Sequence, residues 1–191
     1  MKSFLAIVAI AVFLGGGVWI FMRAGQTFST GAPTSDVSGL DLSTKATSSL
    51  TNLDNVPVPP GWLSYKNSNY HFDLHYPPNL TTKEIDEGGG ATTVIFQNIK
   101  SAEGFQLFVV PYGLPQVSAE RFKQDEPSGV RENMHTGLLA GATAASFYGK
   151  DSRLGDTYEV WFVHGGYLYE ATTLKGLEQS LQAVLGTWQF I

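Results

Sequence analysis

The amino-acid sequence predicts an α+β domain in which an antiparallel β-sheet carries a few packed helices, preceded by one transmembrane helix and a flexible tether. Three observations lead to this prediction. Residues Tyr70–Tyr76 alternate between apolar and polar side chains, as a strand with one solvated face does. Two pairs of apolar stretches are joined by short turns that contain glycine, which is typical of hairpins. Leucines at helical spacing in Lys175–Leu185 predict an amphipathic helix.

The composition excludes several classes of partner and of chemistry. The chain of 191 residues has a net charge of −5 and only 15% charged residues, below the roughly 25% of an average globular protein. Because an acidic surface without a Lys/Arg cluster repels phosphate backbones, we expect no nucleic-acid partner. The absence of cysteine excludes disulfides, thiolate metal sites and a cysteine nucleophile. No motif in the sequence indicates a cofactor.

The first 23 residues predict a membrane anchor. Phe4–Met22 contains no charged residue, and as a helix it would span roughly 28 Å, close to the thickness of a bilayer core. The stretch is longer than the apolar region of a typical signal peptide, and Arg23 interrupts the small residues that a cleavage site needs. We therefore expect an uncleaved signal-anchor in a single-pass membrane protein. Lys2 and the α-amino group before the span favour an inside N-terminus and an extracytoplasmic C-terminal domain.

Residues 24–60 predict a flexible tether between the anchor and the domain. Ser, Thr, Gly, Asp and Pro dominate this segment, which has too few apolar residues to offset the entropy of ordering. Its end, Val56-Pro-Val-Pro-Pro, favours an extended, polyproline-like lead-in.

The predicted domain covers residues 61–191 and begins with an aromatic-rich strand in Gly61–Pro78, which Pro77 and Pro78 end. Because strand side chains alternate between two faces, one face is expected to be buried and the other solvated. The apolar face consists of Tyr70, Phe72, Leu74 and Tyr76, and the polar face carries His71, Asp73 and His75.

The middle of the domain predicts hairpins around one short helix. Thr92–Ile99 and Phe105–Val110 are expected to pair through a five-residue connection. Ser118–Asp125 predicts a helix with Ser118 as its N-cap. Two short strands, Arg131–His135 and Ala140–Phe147, are expected on either side of Gly137. The polar segments Glu84–Ala91 and Gly149–Gly155 are interpreted as a turn region and a loop.

The last third contains the clearest hairpin, Tyr158–Thr173, with Gly165-Gly166 as its turn. This register places Phe162 opposite Tyr169 and His164 opposite Tyr167. Both faces of the hairpin are partly apolar, as expected of an inner strand pair with a helix packed on one side. The amphipathic helix and a final strand, Trp188–Ile191, complete the domain.

The aromatic motifs at both ends of the domain resemble those of PsbP-like domains. The opening, Tyr65-Lys-Asn…Tyr70-His-Phe-Asp-Leu-His-Tyr-Pro, resembles the family pattern Y-x-N-x-x-Y-G-F-x-[IFL]-x-Y-P, and Thr187-Trp188-Gln-Phe resembles its T-[WF]-x-F strand. This chain has His71 where the family often has glycine. The resemblance implies an α+β fold over residues 62–191 and a mostly non-enzymatic role, as an assembly or stabilising factor of membrane complexes or a small binding module. The family has no catalytic motif to transfer to this chain.

The polar strand face suggests a metal site. His71, Asp73 and His75 would share this face, and imidazole and carboxylate are suitable ligands for zinc, copper or manganese. His71 and His75 would lie roughly 13 Å apart along a straight strand, so one of them with Asp73 would need a distant third ligand. The alternative is an ordinary solvated strand face.

The aromatic hairpin suggests a second site. Trp161 and Tyr167 are candidates for a surface that binds a ligand or a partner, and the alternative is that they are core and cross-strand pairs. No Gly-x-Ser-x-Gly motif or other catalytic constellation occurs.

Three functional hypotheses follow from the sequence. The first is a non-enzymatic, membrane-anchored extracytoplasmic module that binds or scaffolds a protein partner in the cell envelope. The second is a module that binds a metal or a small ligand with His71, Asp73 and His75. The third is a hydrolase of unrecognised type, which would require a pocket that holds a titratable group of strongly perturbed pKa.

Overall fold

The computed structural model describes residues 56–191. The predicted anchor, residues 1–23 with its span Phe4–Met22, and residues 24–55 of the predicted tether lie outside the described residues. Within 56–191, no helix has both the length and the apolar character that crossing a membrane requires. The described end of the tether, Val56–Pro60, forms neither helix nor strand, and the Val56 N–H donates to the Gly186 carbonyl (3.3 Å).

The described residues form an antiparallel α+β domain, which confirms the predicted fold class. The elements are β1 (Leu63–Asn67), β2 (Phe72–Tyr76), β3 (Thr81–Gly88), β4 (Ala91–Asn98), β5 (Glu103–Pro111), α1 (Ala119–Asp125), β6 (Glu132–Leu139), β7 (Ala142–Asp151), β8 (Gly155–His164), β9 (Tyr167–Leu174), α2 (Glu178–Leu185) and β10 (Gln189–Phe190). A single 3₁₀ turn, Lys175–Leu177, leads into α2.

The strands form two antiparallel sheets. The larger sheet has seven strands in the order β3-β4-β5-β9-β8-β7-β6, and the smaller has three in the order β1-β2-β10. The β8–β9 hairpin has the predicted register, with Phe162 opposite Tyr169 and His164 opposite Tyr167. Its two turn residues have φ angles of 59° and 85°, which glycine adopts without steric cost.

The main core lies between the large sheet, the small sheet and α2. The Phe72 ring stacks on Trp188 at 4.3 Å between ring centroids and meets the edge of Tyr169 at 6.0 Å. The Thr187 hydroxyl accepts the His75 N–H (2.8 Å), which ties the end of the chain to β2. The predicted buried face of Tyr70–Tyr76 therefore lies in this core, as the alternation indicated.

A second, smaller layer covers the opposite face of the large sheet. Helix α1 begins after Ser118, whose hydroxyl accepts the Arg121 N–H (3.1 Å), so the predicted N-cap is confirmed. The helix buries Phe122 against Trp161 and Phe147. This second layer positions the candidate site.

Several element boundaries differ from the sequence-based predictions. Gly61–Pro78 is a hairpin of two strands, because the Asn67 side chain accepts the N–H groups of Asn69 and Tyr70 and closes a turn there. Predicted turn residues Glu84–Gly88 belong to β3, an edge strand whose polar side chains face solvent. Such strands lack the apolar alternation that marks a half-buried strand.

The strands after α1 are also longer than predicted. Gly137 lies inside β6, and the turn instead uses Ala140 and Gly141, which have φ angles of 48° and 81°. Strand β7 continues to Asp151, and β8 begins at Gly155, so most of the predicted loop Gly149–Gly155 is strand. Backbone pairing with neighbouring strands extends these elements beyond their apolar residues.

Gly104 provides a test of the hairpin β4–β5. A Cβ at this position would overlap the Phe96 carbonyl oxygen and lie 3.0 Å from the Gln97 Cα, both backbone atoms that cannot rotate away. We expect Gly104→Ala to lower the free energy of unfolding by about 1–3 kcal/mol or more, as overpacking does. Gly113→Ala is the matched control, because nothing lies within 4 Å of its Cβ position. Urea denaturation of both variants measures the difference, and equal stability would contradict the assigned register.

Candidate functional site

The predicted metal ligands do not share one strand face. Asp73 and His75 lie in β2, whereas His71 lies in the preceding turn and is exposed. The Asp73 carboxylate accepts the Ser64 hydroxyl (3.2 Å). Among residues 56–191, no group of three His, Asp or Glu side chains is arranged to hold a metal ion. The prediction that all three residues point from the same strand face was wrong for His71, and metal binding itself stays a prediction.

His71 is out of the strand because its backbone is left-handed, with φ of 57°. This conformation is unfavourable for residues with a Cβ and natural for glycine. The PsbP-like pattern, which often has glycine at this position, fits the same turn. Histidine in place of glycine at position 71 therefore adds backbone strain to the turn, in addition to changing the solvated surface.

The two predicted surface aromatics lie on opposite faces of the large sheet. Trp161 is paired with Glu170 and Tyr167 with His164, and the alternation along β8 places these two pairs on opposite sides. Trp161 is only 2% exposed. Tyr167 is half-buried and meets the edge of Tyr70 at 5.2 Å between centroids. These two residues do not form one common surface.

Trp161 instead forms the floor of a pocket beside α1, which we call the α1 pocket. Its volume is about 130 Å³. Its buried residues are Phe122, Ala145 and Trp161, its half-buried residues are Val117, Met134 and Val163, and its exposed residues are Pro115, Gln116 and Thr143. The exposed residues form a rim, so the pocket opens to solvent. Apolar side chains dominate the lining.

The wall of the pocket is an aromatic stack between α1 and the sheet. The ring of Phe122, in α1, lies parallel to the Trp161 indole, with ring centroids 4.6 Å apart. The Arg131 guanidinium lies 4.9 Å from the centroid of the Phe122 ring. The preceding loop is fixed by the Tyr112 hydroxyl, which accepts the Ser118 N–H (2.9 Å). Removing α1 would therefore remove one wall of the pocket and expose the indole.

A buried carboxyl lies next to the pocket floor. Glu159 is fully buried on β8, where one of its oxygens accepts the Thr172 hydroxyl (2.6 Å) and the Trp161 indole N–H (3.3 Å). Burial raises the pKa of Glu159 to about 7, and the hydrogen bonds from Thr172 and Trp161 only partly oppose this rise. Glu159 does not line the α1 pocket.

A pair of further carboxyls joins α1 to β9. Asp125 forms an ion pair with Arg121 one helical turn earlier, and Glu170 lies 3.9 Å from the same guanidinium. Burial raises the pKa of Asp125 despite this neighbouring cation. Burial, and then the charge of Asp125, raise the pKa of Glu170 well above its usual value. One guanidinium thus faces two buried carboxyl groups.

A fourth carboxyl, Glu126, ends α1 and packs against a glycine of β7. Glu126 accepts the Ser128 hydroxyl and is buried, and burial raises its pKa. A Cβ on Gly149 would lie 2.9 Å from a Glu126 carboxylate oxygen and 2.9 Å from the Thr157 hydroxyl oxygen. Glycine is therefore required at this position for the end of α1 to approach the sheet.

Sequence reasoning missed this group of carboxyls, although one signal was present. Glu159 and Glu170 each interrupt an apolar stretch of the central hairpin and alternate onto the same face as Trp161. An acid inside a strand predicted to be buried on both faces indicates an unusual environment. Asp125 and Glu126 gave no such signal, because acids near the end of a short helix are ordinarily solvated.

The pH dependence of stability tests the environment of Glu159. Because its pKa in the folded protein lies above the value of 4.5 in an unfolded chain, its stabilising effect is complete below pH 4.5 and is lost as pH rises towards 7. Between pH 5 and pH 8, we expect the free energy of unfolding to fall by roughly 2–3 kcal/mol less in Glu159→Gln than in the wild type. Denaturation at each pH measures it. Exposed Glu103→Gln is the control, and parallel profiles for all three proteins would contradict the assignment.

The turn at His71 gives a separate prediction about backbone strain. Because a Cβ disfavours the left-handed conformation, we expect His71→Gly to be more stable than His71→Ala by about 1 kcal/mol. The same pair of substitutions at Asn69, a turn residue without a positive φ, should show no advantage for glycine. Thermal unfolding of the four variants measures both differences. An advantage for alanine at position 71 would show that the turn is not left-handed there.

Comparison with known proteins gives similarity at the level of structure. No protein-family model matches the chain, and no curated protein matches it. Among solved structures, the chain is similar to the solution structure of cyanobacterial PsbP (CyanoP) from Synechocystis sp. PCC 6803. The two share 13% sequence identity with a TM-score of 0.49, over 68% of this chain and 92% of that chain. That protein is a PsbP, the family that the aromatic motifs at both ends of this domain resemble.

Proposed function

We propose that this chain is a non-enzymatic, membrane-anchored extracytoplasmic module of the PsbP-like type, which binds a protein partner in the cell envelope through the α1 pocket. The uncharged stretch Phe4–Met22 supports the anchor, and the Ser/Thr/Gly/Pro-rich segment after it supports a tether. The net charge of −5 argues against nucleic acid as the partner.

The α1 pocket is the observation that carries this proposal. A solvent-open cavity with an aromatic floor, in which seven of the nine lining residues are apolar, is typical of the site where a protein partner inserts an anchoring side chain. Leu114, next to the rim residue Pro115, is 52% exposed, and Leu138, paired with the rim residue Thr143, is 46% exposed. These two leucines extend the apolar surface beyond the pocket itself.

The size of the pocket favours a side chain over a larger ligand. A cavity of about 150 Å³ accepts a molecule the size of benzene, whereas pockets for drug-sized molecules and cofactors occupy about 300–1,000 Å³. At about 130 Å³, the α1 pocket matches one apolar side chain, such as leucine. The carboxyl of raised pKa beside it, Glu159, accepts the Trp161 indole N–H and does not line the pocket. This arrangement favours binding over acid–base catalysis.

The chemistry of the pocket can be tested with a small probe. The chain has three methionines, Met1, Met22 and Met134, of which Met134 lines the pocket. We expect N-acetyl-leucine amide to shift the Met134 methyl signal of ¹³C-methyl-labelled full-length protein in detergent micelles, and N-acetyl-serine amide to leave it unchanged. Thr143→Trp, which fills the pocket from its rim, should abolish the shift. Ser152→Trp adds the same side chain at the exposed turn that follows β7 and should preserve the shift.

The partner itself is tested by photo-crosslinking in intact membranes. A photoreactive residue at Thr143 should form one defined adduct, whereas the same residue at Ser152 should not. Ala145→Leu, which enlarges a side chain inside the pocket, should lower the yield of that adduct. Equal yields at the two positions, or a yield that Ala145→Leu leaves unchanged, would place the partner elsewhere on the domain.

A further inference from the structure

We propose that the docking of α1 on the large sheet is proton-dependent: the helix lies on the sheet while the carboxyl groups beneath it hold protons, and it detaches when they ionise. This inference goes beyond partner binding, because it concerns how the wall of the α1 pocket is built and lost. It does not require that a partner exists.

The charges between α1 and the sheet do not balance. Four buried carboxyl groups converge there, whereas two guanidinium groups face them. The carboxyl groups are those of Asp125 and Glu126 at the end of α1, Glu159 in β8 and Glu170 in β9. The guanidinium groups are those of Arg121 in α1 and Arg131 in the loop before β6. Asp151, at the end of β7, adds a further negative charge that acts on Glu126. The remaining charged residues of α1, Glu120 and Lys123, are exposed.

Hydrogen bonding under the helix is also incomplete. One Glu170 oxygen has no hydrogen-bond partner although the side chain is only 9% exposed, and the Thr157 hydroxyl has none although the residue is fully buried. Carboxylates only accept hydrogen bonds. If all four carboxyl groups between α1 and the sheet were ionised, each would be an acceptor close to other acceptors. A proton on a carboxyl converts one acceptor into a donor. Protonation also removes negative charge from an interface in which two nitrogens of Arg121, Nε and Nη2, are buried without a hydrogen-bond partner as well.

The two carboxyls nearest to each other illustrate the role of the proton. Asp125 and Glu170 both face the Nε atom of Arg121, so a proton on either carboxyl removes one of the two negative charges that this single cation faces. When both are ionised, the same two groups repel each other across the same distance, and Arg121 balances only one of them.

The raised pKa values give the direction of the effect. For all four buried carboxyls burial is the largest cause, and it raises each pKa, that of Glu159 to about 7. A helix detached from the sheet would leave these groups in water with ordinary pKa values near 4. The docked state therefore binds protons more tightly than the detached state. Docking is favoured at low pH and weakens as pH rises through about 7.

The consequence falls on the α1 pocket and spares the main core. Phe122 provides the pocket wall and belongs to α1, so detachment of the helix opens the pocket and exposes Trp161. The main core lies on the other face of the large sheet and contains none of the four carboxyls. A rise in pH through about 7 should thus remove the pocket while the two sheets stay folded.

The experiment follows two signals in the full-length protein in detergent micelles. The Met134 methyl signal reports the aromatic wall, and hydrogen exchange of peptides covering α1 reports whether the helix is docked. Between pH 6 and pH 8, the protection factor of α1, corrected for intrinsic exchange, should fall about tenfold from Glu159 alone. The Met134 signal should move over the same pH range. Peptides from β4 and β5 should keep their protection.

Variants distinguish the ionisation of these carboxyls from a general effect of pH on the protection of α1. Glu159→Gln and Glu170→Gln, alone and combined, should raise the pH at which α1 loses protection or abolish the transition, whereas Glu103→Gln should leave it unchanged. Constant α1 protection and a constant Met134 signal in the wild-type protein from pH 5 to pH 9 would overturn the proposal without any variant. A transition that also includes β4 and β5 would overturn it too, because it would be global unfolding.

Discussion

The structure depends on one constraint: the hairpin β8–β9 lies at the middle of a seven-stranded sheet and has to be covered on both faces. One face carries Phe162 and Tyr169, which stack with centroids 4.9 Å apart and meet Trp188 from the end of the chain. The other face carries Trp161, which α1 covers with Phe122. The small sheet, α2 and α1 are arranged so that both faces lose their contact with water.

The two faces are covered in physically different ways. The main core is built from apolar side chains of several elements that pack around Phe72, so its stability comes from buried apolar surface. The second layer has one helix of seven residues, and it buries four carboxyl groups beside three aromatic rings. Burying charge opposes docking unless the groups are paired or protonated. The second layer is therefore the part of the domain where a change in solvent conditions has the most effect.

The proposed binding site lies in the same layer. A small helix that is held by few apolar contacts leaves a pocket at its side, and the buried indole of Trp161 forms part of the lining of that pocket. The main core offers rigid support, because the strands that carry Trp161 and Ala145 are paired on both sides within the sheet. A rigid sheet with a weakly held cover is a suitable arrangement for a binding module whose affinity depends on conditions.

The sequence alone determined the features that depend on neighbouring residues. Gly165-Gly166 and the alternating side chains around it specify the central hairpin and its register, and Ser118 specifies the start of α1, because turns, alternation and caps are local. The tertiary structure decided the rest. The edge strand β3 has a polar pattern that only pairing with a neighbour makes into a strand, and pairing with β7 extends β6 beyond the predicted Arg131–His135 to Leu139. The α1 pocket and its carboxyls join Phe122 and Asp125 to Trp161 and Glu170, residues far apart in the chain, and only the strand order and the position of α1 bring them together.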